Sequence, residues 1–360
     1  MHNMLRLTDL NSLFANDHYQ KTAAYKTLQK TKLGFLDVGA RGGVHDYVLP
    51  IAALTSVVGF EPDEGECQRL LQSKNAKLWA DFNVFPFALA EKTDEKTLHL
   101  LSADTNHSLL PPNPVFINRY NMQKNWTLVG KEKINTVTLD EVLLNQLPEF
   151  FADFIKLDTQ GTEYEIIQGG LNTIGKQTTA IVCEVAFCEL YQGQKLFSEV
   201  ELLLREQQFS FYGFMPIHTR SKKLLDKTKQ VTTERALYAD AVFFKDPLSV
   251  PQVQLSDRQL FALFTVAILL GYYDYALELA METWLSKADD TERQQVHALI
   301  TQLSALNPAQ TRRSLNKLVE DVEKDHHRAN VLVGSFVDMR RSYCDYDDIL
   351  NVSPLPVGYE

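Results

Sequence analysis

Gly34-Phe35-Leu36-Asp37-Val38-Gly39-Ala40-Arg41-Gly42-Gly43 opens as a short apolar run and closes on Gly39, Gly42 and Gly43, and Ser56-Val57-Val58-Gly59-Phe60-Glu61 is a second such run shortly after it. That spacing predicts strand, helix, strand. Further apolar runs follow at 83–90, Phe154–Asp158, 179–185, 209–214 and 236–244, several without polar alternation. Continuous apolar strands separated by helical segments are what a parallel sheet covered on both faces requires.

The rest of the chain is arranged around these runs. Its 360 residues correspond to roughly two domains of about 150 residues, and 45% hydrophobic with 23% charged residues is ordinary globular usage. Residues 1–33 carry weak helical periodicity and are expected to be covering helices, with the sheet domain at 34–246. Between the third and fourth runs, residues 97–138 hold an expected hairpin and the proline-rich segment Asn106–Pro114, which must be a loop. Pro247–Pro251 reads as a linker, and beyond it a helical domain is expected at 252–341, followed by a tail at 342–360. Ser256 and Asp257 offer a helix cap and Gly271 a stop.

Composition excludes several classes of function. A net charge of -10 repels phosphate backbones, so nucleic acid is not expected as a partner. The four cysteines form no C-x-x-C pair and no zinc spacing, so free thiols and no metal are expected. No signal core follows Met1, and Leu260–Tyr273 is too short for a membrane span, so a cytoplasmic location is expected.

The chemistry sits at the strand ends. Glycines after the first strand let the backbone turn sharply and approach a ligand at the next helix N-terminus. The dinucleotide fingerprint wants glycine where Arg41 and Val44 stand, which weakens a nicotinamide reading. Asp37 suits a cationic amino group beside that loop, and Glu61, ending the second strand, suits the hydroxyls of a ribose. An amino acid moiety plus a ribose describes S-adenosylmethionine better than NAD.

The third constellation is Phe154-Ile155-Lys156-Leu157-Asp158-Thr159-Gln160-Gly161-Thr162-Glu163, leading to Gly169 and Gly170. It resembles the FkbM family of S-adenosylmethionine-dependent methyltransferases, whose most recognisable stretch is a strand of the form I-K-x-D-x-x-G-x-E followed by a hydrophobic helix and glycine. Asp37-Val38-Gly39-Ala40 and Gly59-Phe60-Glu61-Pro62-Asp63 are similar to that family's first two motifs, and 136–140 to the short start before the third. The likeness covers about residues 35–244; Arg41 stands where the family more often shows asparagine.

The resemblance implies an α/β fold of the class I methyltransferase kind, a Rossmann-like, doubly wound, mainly parallel sheet, here with a C-terminal all-helical domain. It assigns Asp37, Gly39 and Gly43 to the methionine end of the cofactor, Glu61 to its ribose and Asp158 to the floor of the site, and in this fold class the third strand's two ends, Asp81 and Ala88, to adenine. The expected reaction is methyl transfer to a hydroxyl of a sugar, glycan or hydroxylated natural product. A general base must reach that hydroxyl. His107, in the proline-rich loop, is the first candidate and Glu184, inside an apolar strand, the second; their alternatives are a solvated loop histidine and a structural salt bridge. Ser108, Glu163, Tyr191 and Gln194 are candidate substrate contacts, though Glu163 could equally stabilise a helix start. Lys156 reads as a salt-bridge partner. The helical segment 252–341 is expected to dock a second subunit or a partner enzyme, and the rival to catalysis is a cofactor-binding scaffold acting through it.

Overall fold

A computed structural model describes residues 7–226, 229–230, 232–305 and 308–340. Eight strands form the main sheet: β1 (Leu33–Val38), β2 (Thr55–Phe60), β3 (Asp81–Phe85), then β7 (Phe154–Leu157), β8 (Ala180–Ala186), β9 (Ser210–Phe214), β10 (His218–Arg220) and β11 (Arg235–Phe244). Between them, β4 (Ala88–Leu89), β5 (Asp94–Leu101) and β6 (Leu128–Val137) make a small second sheet in which β5 and β6 pair antiparallel, the expected hairpin. The main sheet runs β3-β2-β1-β7-β8-β11, and β9 and β10 pair in turn along the outer edge of β11. β1, β2, β3, β7 and β8 are parallel, and β11 alone among the central strands runs against them. The strand order reverses between β1 and β7. In such sheets a crevice opens at that point, outside the carboxyl ends of the strands.

Every residue of β1 and of β7 is buried, which explains their unbroken apolar runs. Along them Phe35 and Phe154 turn to one face and Leu36 and Ile155 to the other. On the second face pack α6 (Leu139–Gln146), α7 (Glu163–Gln168), α8 (Leu171–Lys176) and α9 (Phe197–Glu206), through Leu139, Ile166, Ile174 and Leu204. On the first lie α1 (Asp17–Lys21), α2 (Ala23–Thr31), the 3-10 segment Asp46–Leu54, and α10 (Asp257–Leu269), α11 (Tyr273–Glu282) and α12 (Asp290–Ser304). Three further helices, α3 (Glu64–Leu71), α4 (Pro114–Arg119) and α5 (Gln123–Trp126), stand outside these two layers.

The expected boundary after Pro251 is therefore not a break in the core. Residues Leu260–Leu269 of α10 are buried without interruption, because this helix is apolar on all sides and has α2 and α11 against it. A helix of that composition needs cover all round. Its start is as expected, a capping box between Ser256 and Gln259, and Gly271 follows its end at φ 86°. Residues 6–222 and 235–304 form one compact unit. In the other unit, α13 (Pro308–Lys324) and α14 (Ala329–Arg340) pack on one another. The expected tail lies outside the described residues, as does Cys344; Cys67, Cys183 and Cys188 are free and buried. Among the described residues no helix is long and apolar enough to cross a membrane.

One ion pair fastens α10 to the sheet. The Arg258 guanidinium meets both oxygens of Asp153 at 2.6 and 2.8 Å, while the Gly34 N–H donates to the same carboxylate at 2.9 Å. Asp153 is 1% exposed. Removing one partner of a buried pair leaves the other charge uncompensated, at a cost of about 3–5 kcal/mol. Arg258→Ala is expected to lower stability by about 3 kcal/mol or more, read as a fall in the urea midpoint; an unchanged midpoint would mean that apolar contacts alone hold α10.

Candidate active site

A cavity of about 770 Å³ opens at the switch point between β1 and β7. Gly39, Arg41, Gly43 and His45 line it from the loop after β1, Glu61 and Asp63 from the end of β2, and Phe87, Ala88 and Leu89 from around β4. Lys156, Asp158, Thr159 and Gln160 supply the β7 side. Leu98, Leu100, Glu132 and Ile134 of the hairpin face it, as do Asp104, His107 and Ser108 of the loop behind.

The loop after β1 and the turn after β7 press together. Gly39 has φ 87°, and a Cβ there would stand 2.0 Å from the Asp158 carbonyl oxygen, so only glycine fits. Gly43 has open space above it. Asp37 is 1% exposed, at the end of β1; its Oδ2 accepts the His45 N–H at 2.8 Å and its Oδ1 has no hydrogen-bond partner. The Lys156 ammonium lies 3.7 Å from that Oδ1 and 3.2 Å from Asp158 Oδ2. Burial pulls the lysine's pKa down, but Asp37 and Asp158 outweigh it and hold it above its ordinary value. Lys156 is thus the ion-pair residue expected, and it also lines the cavity.

Glu61 sits at the end of β2, 4% exposed, and burial raises its pKa against the opposing Asp63 N–H and Arg41. Its Oε1 accepts the Asp63 N–H at 3.0 Å and a long contact from Arg41 at 3.4 Å. Arg41 continues to Asp63 at 3.1 Å and faces Asp104 at 3.9 Å, spanning the mouth between two loops. His107 is tied through Nε2 to the Leu101 carbonyl at 3.2 Å. Ser108 donates to the Gln160 carbonyl at 2.7 Å and accepts the Leu110 N–H, so its hydroxyl shapes the loop it belongs to.

Three expected substrate contacts are instead the frame of the turn after β7. The Glu163 carboxylate, 4% exposed, accepts the N–H groups of Thr159 and Gly161 and the Thr159 hydroxyl, at 2.7 to 3.2 Å. Tyr191 is 1% exposed and bonds through its hydroxyl to the Asn106 carbonyl and the Gln160 amide oxygen. Gln194 accepts the N–H groups of Leu190 and Tyr191. Tyr191 and Gln194 would both touch a Cβ placed at Gly161. None of the three lines the cavity, because their polar atoms are spent on fixing loops. Asp81 is also elsewhere: it begins β3, at the amino end, where it accepts the Ser56 hydroxyl at 2.8 Å. Ala88 does line the cavity.

Glu184 lies one strand over from Asp158, outside the lining residues, and carries no structural salt bridge among the described residues. Sequence reasoning missed Gln160, which holds φ 61° and donates to Asp158 Oδ1 at 2.9 Å. It also missed Phe87 and the hairpin's Leu98, Leu100 and Ile134. The alternation of leucines in β5 was the available signal. Among the described residues no group of three or more His, Cys, Asp or Glu could hold a metal.

A family model described as "Methyltransferase FkbM domain" matches residues 37–211. Among solved structures, the chain is similar to methyltransferase FkbM from Methylobacillus flagellatus KT, with 14% identity, 59% of this chain and 44% of that one covered, and a TM-score of 0.32. It is similar to magnesium protoporphyrin IX methyltransferase from Synechocystis PCC 6803 with bound SAM, with 10% identity, 64% and 90% covered, and a TM-score of 0.29. Precorrin-6y C5,15-methyltransferase from Geobacter metallireducens GS-15 has 12% identity, 66% and 93% covered, and a TM-score of 0.28. The chain spans less than half the length of the first of these. No curated protein matches it.

The buried carboxyl of Glu163 sets a pH dependence. Burial pushes its pKa up to about 7, above the 4.5 of an exposed glutamate. Between those values this carboxyl binds more proton in the folded chain than in the unfolded one, so its contribution to stability is fully present below pH 4.5 and is lost as pH rises through 7. The loss amounts to about 3 kcal/mol, from roughly 1.4 kcal/mol per pKa unit. In urea melts across this range, Glu163→Gln is expected to lose that part of the slope; a slope equal to the parent's would place the titration elsewhere.

Proposed function

We propose that this chain, an S-adenosylmethionine-dependent methyltransferase by the FkbM methyltransferase domain at residues 37–211, transfers its methyl group to a hydroxyl oxygen of a sugar or a hydroxylated natural product. The observation that carries the reading is one cavity running from the glycine turn and Glu61 to Asp158 and His107 beneath the hairpin.

The residues present fit the cofactor. Gly43 lines the cavity with open space above it, which leaves room for the amino acid end, and the buried Oδ1 of Asp37 has no hydrogen bond, though it faces Lys156 at 3.7 Å. Glu61 has one oxygen without a hydrogen bond among the described residues, which suits ribose hydroxyls, and Phe87, Ala88 and Leu89 give a flat base an apolar wall. The cofactor supplies a methyl group on a positively charged sulfur. What the chain must add is position, since an acceptor held in line about 3 Å from the methyl carbon already meets much of the barrier.

A hydroxyl acceptor must also lose its proton. Glu184, part-buried on β8 directly behind the lining residue Asp158, is the base this reading favours. Its carboxylate has no hydrogen bond or ion pair among the described residues, and burial, reinforced by Asp158, raises its pKa well above the usual carboxylate range. A base that is not already spent on other partners is the better proton acceptor. His107 faces the cavity, but its Nε2 is committed to a carbonyl, which leaves Nδ1 alone to accept.

Calorimetry with S-adenosylmethionine, followed by detection of S-adenosylhomocysteine released over a panel of glycans, tests the reading; binding without turnover on any acceptor would favour a scaffold. Glu61→Ala is expected to weaken cofactor binding by about 1.5–3 kcal/mol, the scale of hydrogen bonds to a charged group. Glu184→Gln is expected to lower turnover by about 10²-fold or more and His107→Gln by less than about tenfold. The reverse ranking would hand the proton to His107.

A further inference from the structure

β11 lies antiparallel to β8 in a register that sets Asp240 opposite Glu184. Directly opposed residues on neighbouring strands point to one face with their Cβ atoms about 4.5–5.5 Å apart, and like charges placed so repel. On the other side, the parallel register of β7 with β8 pairs Leu157 with Cys183, so Asp158 follows as Glu184's next neighbour. Three carboxylates therefore stand in a row across three strands. Asp158 is partnered by Lys156 and Gln160. Neither the Glu184 nor the Asp240 carboxylate has a hydrogen bond or an ion pair among the described residues.

A like-charge pair with no ion-pair partner among the described residues is costly to bury. Nothing in the packing of β8 against β11 requires it, since the neighbouring opposed pair on the same face is Val182 with Val242. We infer that Asp240 is a positioning residue for methyl transfer, acting through Glu184 from the next strand to govern when that carboxylate is free to take the acceptor's proton. In the step served, the proton leaves the hydroxyl for a Glu184 oxygen, the bonding pair stays on the acceptor oxygen, and Glu184 becomes neutral.

The groups around the pair give the sign. Burial and Asp158 raise the Asp240 pKa, while Lys156, His45 and His218 lower it. Burial, Asp158, Glu163 and Asp240 raise Glu184, and Lys156 opposes them. Tyr191 and Tyr238, also within electrostatic reach of Glu184, are neutral at ordinary pH, their own ionisation pushed up by burial. Asp240 is thus the one carboxylate of the row that has no other visible task, and its charge keeps the proton on Glu184 to higher pH.

The inference rests on Glu184 being the base, and the test separates the two. Infrared spectra of the full-length chain, titrated with pH, report the protonated-carboxyl band; the part missing in Glu184→Gln belongs to Glu184. In Asp240→Asn the midpoint of that part is expected to fall by about one pH unit or more, while Asp240→Glu, which keeps the charge, holds the parent's midpoint. Asp240→Ser serves in the same way should Asp240→Asn fail to fold. An unchanged midpoint in the neutral variants overturns the inference. Full turnover by Glu184→Gln, measured with S-adenosylmethionine over the glycan panel, overturns the base reading beneath it.

Discussion

The ammonium of Lys156, held between Asp37 and Asp158 at the point where the strand order reverses, is the interaction on which the site depends. A lone charge buried there would cost several kcal/mol. Two carboxylates from two different elements reduce that cost, and in doing so they tie the carboxyl end of β1 to the turn after β7. That tie lets the Gly39 turn press against the Asp158 carbonyl. It also keeps one oxygen of Asp37 buried without a hydrogen bond, which is tolerable in a preorganised binding site and expensive elsewhere.

Around that centre polar residues divide into two kinds. Glu163, Tyr191 and Gln194 spend their polar atoms on backbone groups of the turn and its neighbouring loops, and Gln160 is held at a positive φ by three such contacts. A non-glycine residue in that conformation persists only where its surroundings over-determine it. Glu61, Asp158, Arg41 and His107 face the cavity instead. The first kind holds the second in place, which is why a loop-built site can be precise. The C-terminal helices belong to the same logic: α10 closes the first face of the sheet, and Arg258 locks it to Asp153 at the amino end of β7.

The parallel sheet was legible because burial on both faces forces unbroken apolar runs, and β1, β2, β7 and β8 have little else. The cap at Ser256 was legible because its chemistry is local. The place of α10 was not, since an apolar helix says only that it is covered and leaves open by what. β10, three residues on an edge, carries no pattern. In the site, glycines at strand ends revealed the turns because only they tolerate the geometry. Glu163 and Tyr191 misled for the opposite reason: a carboxylate that clamps a turn and one that meets a substrate have the same spelling. Asp81 misled because the two ends of a short strand look alike until the sheet's direction is known.

Charge at the cavity also bears on the acceptor proposed. Glu61, Asp63, Glu64, Asp104, Glu132 and Asp158 line it, against Arg41 and Lys156 as the fixed cations. Lys156 is neutralised by Asp37 and Asp158, and Arg41 is shared among Glu61, Asp63 and Asp104. Neither cation is left over to meet an anion. A phosphorylated or carboxylated acceptor would have to approach against that field, in a crevice whose low-dielectric walls strengthen it. The neutral polyhydroxyl ring proposed as acceptor would meet no such barrier and would donate to the same carboxylates. The field that turns anions away suits the positively charged sulfur of the proposed cofactor, so under that reading one distribution of acids serves both halves of the transfer.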